Sequence, residues 1–461
     1  MNPDPGRKRA RRKATPRGGP SASAKDFSRR GKAGRAGGRT IALRYGEGEQ
    51  ELTLDLARLL FELRPRHFPA LADPAADLRA SLHEPIGPEL GEVIRPGDRV
   101  AVVTVDRTRP SPREYLGPMR EALEELGAEV TVLVATGNHR WMSRQELVEH
   151  YGTSEVLQHD CDGEMLLLGE TSRGTPIELN RALSRFDKVV TVGYVEPHFL
   201  MGFGGGRKLL FPGLGSRRAI ALHHLLLAEA GFQLGHLEGN PPHEDAVEMV
   251  ERLGLWPDGP VAWSTNIVLN PDDSVVEIFS GHPLEAHLEA CRLARRVNTA
   301  QLPGQCDICI ASPGGSSHDR DLVQSRKALI PACRTVRPGG LLILLAQCRE
   351  GWAADEGSRG FLTYSSPKEI LAEMNDRCRR RAELFIEAGD DPSACTGALV
   401  FSIILEFRSL EVIVVSELEG LDETFLLTAD SLAEAMEMAE ARVGELSSVG
   451  VIHGGRRLII P

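Results

Sequence analysis

From residue 99 onward the chain repeats one pattern. Short apolar runs of strand length are followed by segments with helical spacing. RVAVVTVD (99–106) is a buried strand, and PREYLGPMREALEELG (112–127) is a helix stopped by Gly127. EVTVLVATG (129–137), EMLLLGE (164–170), DKVVTVGYV (187–195) and VAWSTNIVLN (261–270) read as further strands. Ser143 with Glu146 is a capping-box start, and 217–230 and 283–297 are helical. A second series opens at CDICIAS (306–312) and continues through LLILLAQ (341–347), ALVFSIIL (398–405), EVIVVSE (411–417) and VGVIH (449–453) as strands. Helices at 319–329, 367–388 and 431–444 separate them. Strands alternating with helices predict an α/β fold of two domains, with mainly parallel sheets flanked by helices. In such sheets ligands bind outside the carboxyl ends of the strands, here in the interdomain cleft.

NTAQLPGQ breaks the pattern and sets the boundary near 298–305. The expected units are a basic arm at 1–39, an N-terminal α/β cofactor-binding domain at 40–300 and a C-terminal α/β domain at 301–461. The second unit opens with a hairpin, TIALRYGEGEQELTLDL, turning at Gly46 and Gly48. The arm holds thirteen Lys and Arg against Asp4 and Asp26, a local charge of +11 within a chain of −11, so the remainder carries −22. With almost no apolar residues it cannot repay the entropy of ordering. It reads as a solubilising or mistranslated extension, or as an RNA or ribosome contact. The acidic body does not suit general nucleic-acid binding. No apolar run approaches the roughly 18 residues of a membrane span, and no signal-peptide core follows the charges of the arm. Eight scattered cysteines read as reduced thiols in a cytoplasm. Cys306 and Cys309 form a CxxC within a strand, with no second CxxC at zinc spacing.

Chemistry is sought just after the strands. VDRTRP brings Asp106, Thr108 and Arg109 to a helix start, where an anion is favoured. A salt-bridge role for Arg109 is equally open. ATGNHR places His139 on a glycine turn, as surface or as acid/base. YVEPHFLMGFGGGRKLLFPG (194–213) is the most informative stretch. His198 ends a strand, and Gly202, Gly204, Gly205 and Gly206 precede Arg207 and Lys208. Glycines this dense let a backbone approach a ligand closely. Neither the phosphate-loop pattern nor the dinucleotide fingerprint fits this stretch. His223 and His224 lie in an apolar helix, as core histidines or as a metal ligand. Gln324 and Lys327, spaced i, i+3, share a helix face and can hold a carboxylate.

Taken in order, DRTRP, ATGNHR, EPHFLMGFGGGRKLLFPG, the helix histidine and the GG…QxxK segment resemble the nickel-dependent lactate racemase family from about residue 40 to the end. The resemblance implies a racemase or epimerase acting at C2 of a 2-hydroxy acid, with reversible hydride transfer to a nickel-pincer nucleotide. That cofactor is a pyridinium mononucleotide whose two sulfur-bearing arms hold nickel. By the same resemblance Lys208 bonds covalently to the cofactor and His224 is the metal ligand, with His223 as the register alternative. Asp106, Thr108 and Arg109 belong to the nucleotide-phosphate site. His139 and His198 form the acid/base pair, and Gln324 and Lys327 orient substrate. Val323 stands where the family's lactate enzymes carry tyrosine, and SSHDRD lacks their proline turn, so the cofactor site matches better than the substrate pocket. Cofactor-maturation proteins are the implied partners. The rival readings are an NAD-dependent 2-hydroxyacid dehydrogenase and a non-catalytic carboxylate- or nucleotide-binding protein.

Overall fold

The computed structural model describes residues 37–316, 318–352, 359, 362–363, 365–379 and 396–461. Most of the basic arm, residues 380–388 of the expected 367–388 helix, Ser317 and Cys395 lie outside the described residues.

Two six-stranded sheets organise the chain. The first runs, in spatial order, Val275–Gly281, Val261–Leu269, Lys188–Tyr194, Arg99–Val105, Glu129–Ala135, Leu157–Gln158. The second runs Leu427–Ala429, Glu411–Val415, Val336–Leu345, Cys306–Ala311, Val449–Ile452, Leu59–Leu63. Every pairing within them is parallel except Val261–Leu269 with Val275–Gly281. The central strands are apolar on both faces because helices cover both; Val261–Leu269 is buried at every position. The α/β class read from the alternation is the class observed.

Sheet pairing ties part of 40–63, expected in the N-terminal unit, to the second sheet. Leu59–Leu63 pairs with Val449–Ile452 at the edge of the second sheet, burying Phe61 and Leu63. The hairpin Gly38–Tyr45/Gly48–Asp55 packs Ile41, Leu43 and Leu54 on Ile308, Ile310 and Leu341 of that sheet. It turns where expected, with Gly46 at φ 56°.

Other differences have local reasons. ALVFSIIL lies in a helix, Thr396–Arg408, and its buried Val400, Phe401 and Ile404 follow helical spacing. An apolar run alone does not separate a core helix from a strand. Met165–Glu170 is a strand, but it pairs only with Pro176–Asn180, antiparallel and outside both large sheets. The helix expected at 217–230 breaks at Leu225 into Arg217–His224 and Leu226–Ala230. The helix expected at 319–329 is Leu322–Ser325, one 3-10 turn and Leu329–Thr335. The capping box holds: the Ser143 hydroxyl accepts from Glu146 N, and the Glu146 carboxylate accepts from Ser143 N. Cys306 and Cys309 are fully buried in their strand, and Cys161, Cys291, Cys333 and Cys348 are likewise buried free thiols. Among the described residues no helix is long and apolar enough to cross a membrane.

Candidate active site

The carboxyl ends of both sheets contribute to one cavity of about 150 Å³. Segments after Arg99–Val105, Glu129–Ala135 and Lys188–Tyr194 line one side, and Val323, Arg326 and Lys327 line the other. Asp106, Thr108, Arg109, His139, His198, Lys208, His224 and Lys327, all singled out in the sequence, line it together. Gln324 stands behind them: the Lys327 ammonium donates to Gln324 Oε1 at 2.7 Å.

Asp106 is the first residue past its strand and is buried. Its Oδ1 accepts from Thr108 N (3.1 Å) and Thr108 Oγ1 (2.5 Å), and its Oδ2 lies 2.7 Å from His139 Nδ1. Burial alone would raise the Asp106 carboxyl. The His139 charge and hydrogen bond, with Thr108 and Arg109, outweigh burial and hold it below the usual carboxylate range. An ionised Asp106 keeps the proton of His139 on Nδ1 and leaves Nε2 as the basic atom. His139 is 37% exposed and stands at the rim.

His198 belongs to a short pairing, Pro197–His198 with Gly202–Phe203, that folds the glycine segment back on the strand end. Its Nδ1 accepts from Leu200 N (3.3 Å) and Met201 N (3.2 Å), so the neutral ring carries its proton on Nε2. Burial first, then the charges of Lys208, Lys327 and Arg109, push the imidazole well below its ordinary value.

The glycines serve close approach. Gly205 and Gly206 have φ of 73° and 47°, and a Cβ on Gly205 would stand 2.9 Å from the Tyr194 carbonyl oxygen. Arg207 points inward: it donates to the Met201 carbonyl (2.7 Å), the Phe203 carbonyl (3.2 Å) and His243 Nδ1 (2.7 Å), stapling the loop from within. Lys208, the next residue, lines the cavity instead. Burial, with Arg109 nearby, lowers its amine to about 8.

The two helix histidines separate as their angular offset requires. His223 is fully buried, sits 2.8 Å from the Pro242 carbonyl and packs edge-on against Phe211. His224 lines the cavity, and its Nδ1 donates to the Ile220 carbonyl at 2.6 Å, leaving Nε2 as a ligand atom. Burial, then His223, lower it to about 3, so the ring is neutral as metal binding requires. Among the described residues, the one close group of three possible protein ligands is Asp160, Cys161 and Asp162, none of which lines the cavity. His224 Nε2 is the ligand atom this helix offers the cavity, apart from that group.

Sequence reasoning missed Glu196, Arg456 and Arg457. The buried Glu196 carboxylate receives Arg109 Nε at 2.7 Å and both C-terminal arginines at 2.9 Å. The available signals were an acidic residue at an apolar strand end (VEPH) and a paired arginine near the terminus (GGRR).

Comparison with known proteins agrees with this architecture. The model of the lactate racemase N-terminal domain matches residues 45–234, and that of the lactate racemase C-terminal domain matches 302–460. The lactate racemase of Thermoanaerobacterium thermosaccharolyticum is 27% identical over 398 residues, 83% of this chain and 89% of that protein. The lactate racemase of Lactiplantibacillus plantarum is 29% identical over 396 residues, 82% and 89% respectively. The solved apoprotein of the Thermoanaerobacterium thermosaccharolyticum lactate racemase superposes with a TM-score of 0.81 at 26% identity, covering 92% of this chain and 100% of that one. A Thermotoga maritima protein shares the fold at a TM-score of 0.64 and 18% identity, covering 86% and 100%. With both domain models matched in order, and a solved relative spanning nearly the whole chain, the protein belongs to the lactate racemase family and is an isomerase of the racemase type.

Proposed function

We propose that the chain racemises or epimerises C2 of a 2-hydroxy acid, the hydrogen at C2 leaving and returning as hydride. The observation that carries this reading is the convergence of four groups on one cavity: His139 backed by Asp106, His198, Lys208 and His224. Removing the C2 hydrogen as a proton would create a carbanion beside a carboxylate. Transient oxidation to a flat 2-keto acid avoids it.

The residues suit a nickel-pincer nucleotide. His224 Nε2 would ligate nickel, Lys208 would carry the covalent bond, and Arg109 with Thr108 would hold the phosphate. When bound, that group supplies the hydride acceptor. His139 Nε2 takes the substrate hydroxyl proton, and Asp106 stabilises the imidazolium formed. Lys327, braced by Gln324, holds the substrate carboxylate. His198 presents Nε2 to the keto oxygen from its own strand end. To exchange roles with His139 it must release the two long hydrogen bonds at Nδ1. Proteins that mature the cofactor are the partners this chemistry requires. The buried free thiols suit a reducing cytoplasm.

The test is metal analysis joined to a chiral assay, on protein matured with the cofactor. Nickel near one equivalent, lost in His224→Ala, with interconversion of enantiopure lactate or a longer 2-hydroxy acid, supports the reading. A metal-free protein that oxidises the same acids with NAD overturns it in favour of a dehydrogenase.

A further inference from the structure

Glu196 is the point where the two halves of the site are tied. It follows the strand Lys188–Tyr194 of the first sheet and is buried. Oε1 accepts from Arg456 Nη2 (2.9 Å) and forms an ion pair with Arg109 Nε (2.7 Å), and Oε2 accepts from Arg457 Nε (2.9 Å). The two C-terminal arginines lie in the turn Gly455–Arg457, just past Val449–Ile452 of the second sheet. Arg457 is anchored again on the first sheet's side, donating to the Asn270 carbonyl (3.2 Å) and to Asp273 (2.8 Å).

The three guanidiniums do not have equivalent surroundings. Arg109 lines the main cavity. Arg109 and Arg456 also line a space of about 10 Å³, room for roughly one water, beside His198 and Lys327. Arg457 lines neither space and serves only as an anchor. Two buried guanidiniums and the half-buried one of Arg109 meet two carboxylates, Glu196 and Asp273, while Asp106, Lys208 and Lys327 act on Arg109 from the cavity side. An anion arriving at Arg109 meets a cation-rich wall, with Lys208 and Lys327 beside it.

We propose that Glu196 is a positioning residue that aims the Arg109 fork into the cavity and makes that aim depend on Arg456 and Arg457. The inference rests on the reading of Arg109 as the holder of an anionic group. Its signature is a sign. Were Glu196 only a background charge, removing it would strengthen anion binding by Coulomb attraction. Were it the support of Arg109, removing it would weaken binding in spite of that gain.

The probe is nicotinic acid mononucleotide, titrated calorimetrically into the cofactor-free full chain, with thermal unfolding followed alongside. Arg109→Lys is the reference and should bind at least tenfold more weakly. Glu196→Gln should also weaken binding at least tenfold. Arg457→Lys keeps its charge and leaves both cavities untouched, and should weaken binding about threefold or more. Glu196→Gln binding as tightly as the parent or tighter, while Arg109→Lys is weakened, overturns the positioning role alone. An unfolding temperature that falls with unchanged affinity of the folded protein does the same. Should Glu196→Gln not fold, Arg457→Lys decides: weaker binding supports the role and unchanged binding overturns it. Undiminished binding by Arg109→Lys, or no binding by the parent, overturns the reading of the anion site and the inference with it.

Discussion

His139 Nδ1 lies 2.7 Å from the Asp106 carboxylate, a contact between residues that follow neighbouring strands of the first sheet. Asp106→Asn keeps the shape and removes the charge that stabilises a protonated His139. We expect turnover to fall about 100-fold or more, with nickel content unchanged, as read from initial rates and metal analysis. The pair also withstands acid. The folded Asp106 carboxyl lies below its unfolded value, so its stabilisation is complete above about pH 5 and is lost only as pH falls through and below the ordinary aspartate value of about 3.9. Stability that declines between pH 7 and 5 in the parent but not in the variant would contradict this.

His139 and His198 reach the cavity from different strand ends. His139→Ala and His198→Ala should each lower turnover by about 100- to 10,000-fold, the usual worth of a positioned proton-transfer group. Neither should release the cofactor. Near-normal rates at full nickel occupancy in either variant would remove that histidine from the proton-transfer scheme.

Lys208 is half-buried at the cavity wall and its amine is lowered to about 8. It titrates below an ordinary lysine at about 10.4, so more of it is the nucleophilic free amine at neutral pH. In cofactor-free protein, carbamylation of Lys208 by cyanate should rise with a midpoint near pH 8, followed by peptide mass spectrometry. A midpoint near 10 would show that the site does not activate it. In matured protein, Lys208→Ala should abolish the covalent mass addition, and an unchanged adduct would move the attachment elsewhere.

The glycine loop is tight as well as flexible in type. Gly202 has φ 72°, and a Cβ there would lie 1.9 Å from the His236 carbonyl oxygen. Gly202→Ala must shift backbone, so we expect a loss of about 1–3 kcal/mol in denaturant unfolding. Less cofactor attached on maturation should accompany it, because the displaced loop carries Lys208. A variant with parental stability would show that the loop yields freely.

What the sequence disclosed was local. The first sheet's central strands announce themselves as apolar runs, and Asp106, His139 and His198 follow because ligands gather at strand ends. Four glycines ahead of Lys208 mark a close approach without any need to know the fold. The pairing of Leu59–Leu63 with Val449–Ile452 was not legible, since nothing in five residues records a partner hundreds of positions away. Glu196 with Arg456 and Arg457 failed for the same reason: each looks ordinary until the two sheets meet. ALVFSIIL failed differently, because a fully apolar run satisfies strand and core helix alike. His223 and His224 were separable only once Phe211 and the Pro242 carbonyl were seen to claim the first.

The central claim is that the C2 hydrogen leaves and returns as hydride within this cavity. Enantiopure 2-hydroxy acids deuterated at C2, lactate among them, are incubated in ordinary water with the matured protein and analysed by chiral chromatography with mass detection. The account predicts that the opposite configuration at C2 accumulates with its deuterium retained. Inversion with complete loss of the label to solvent would contradict it.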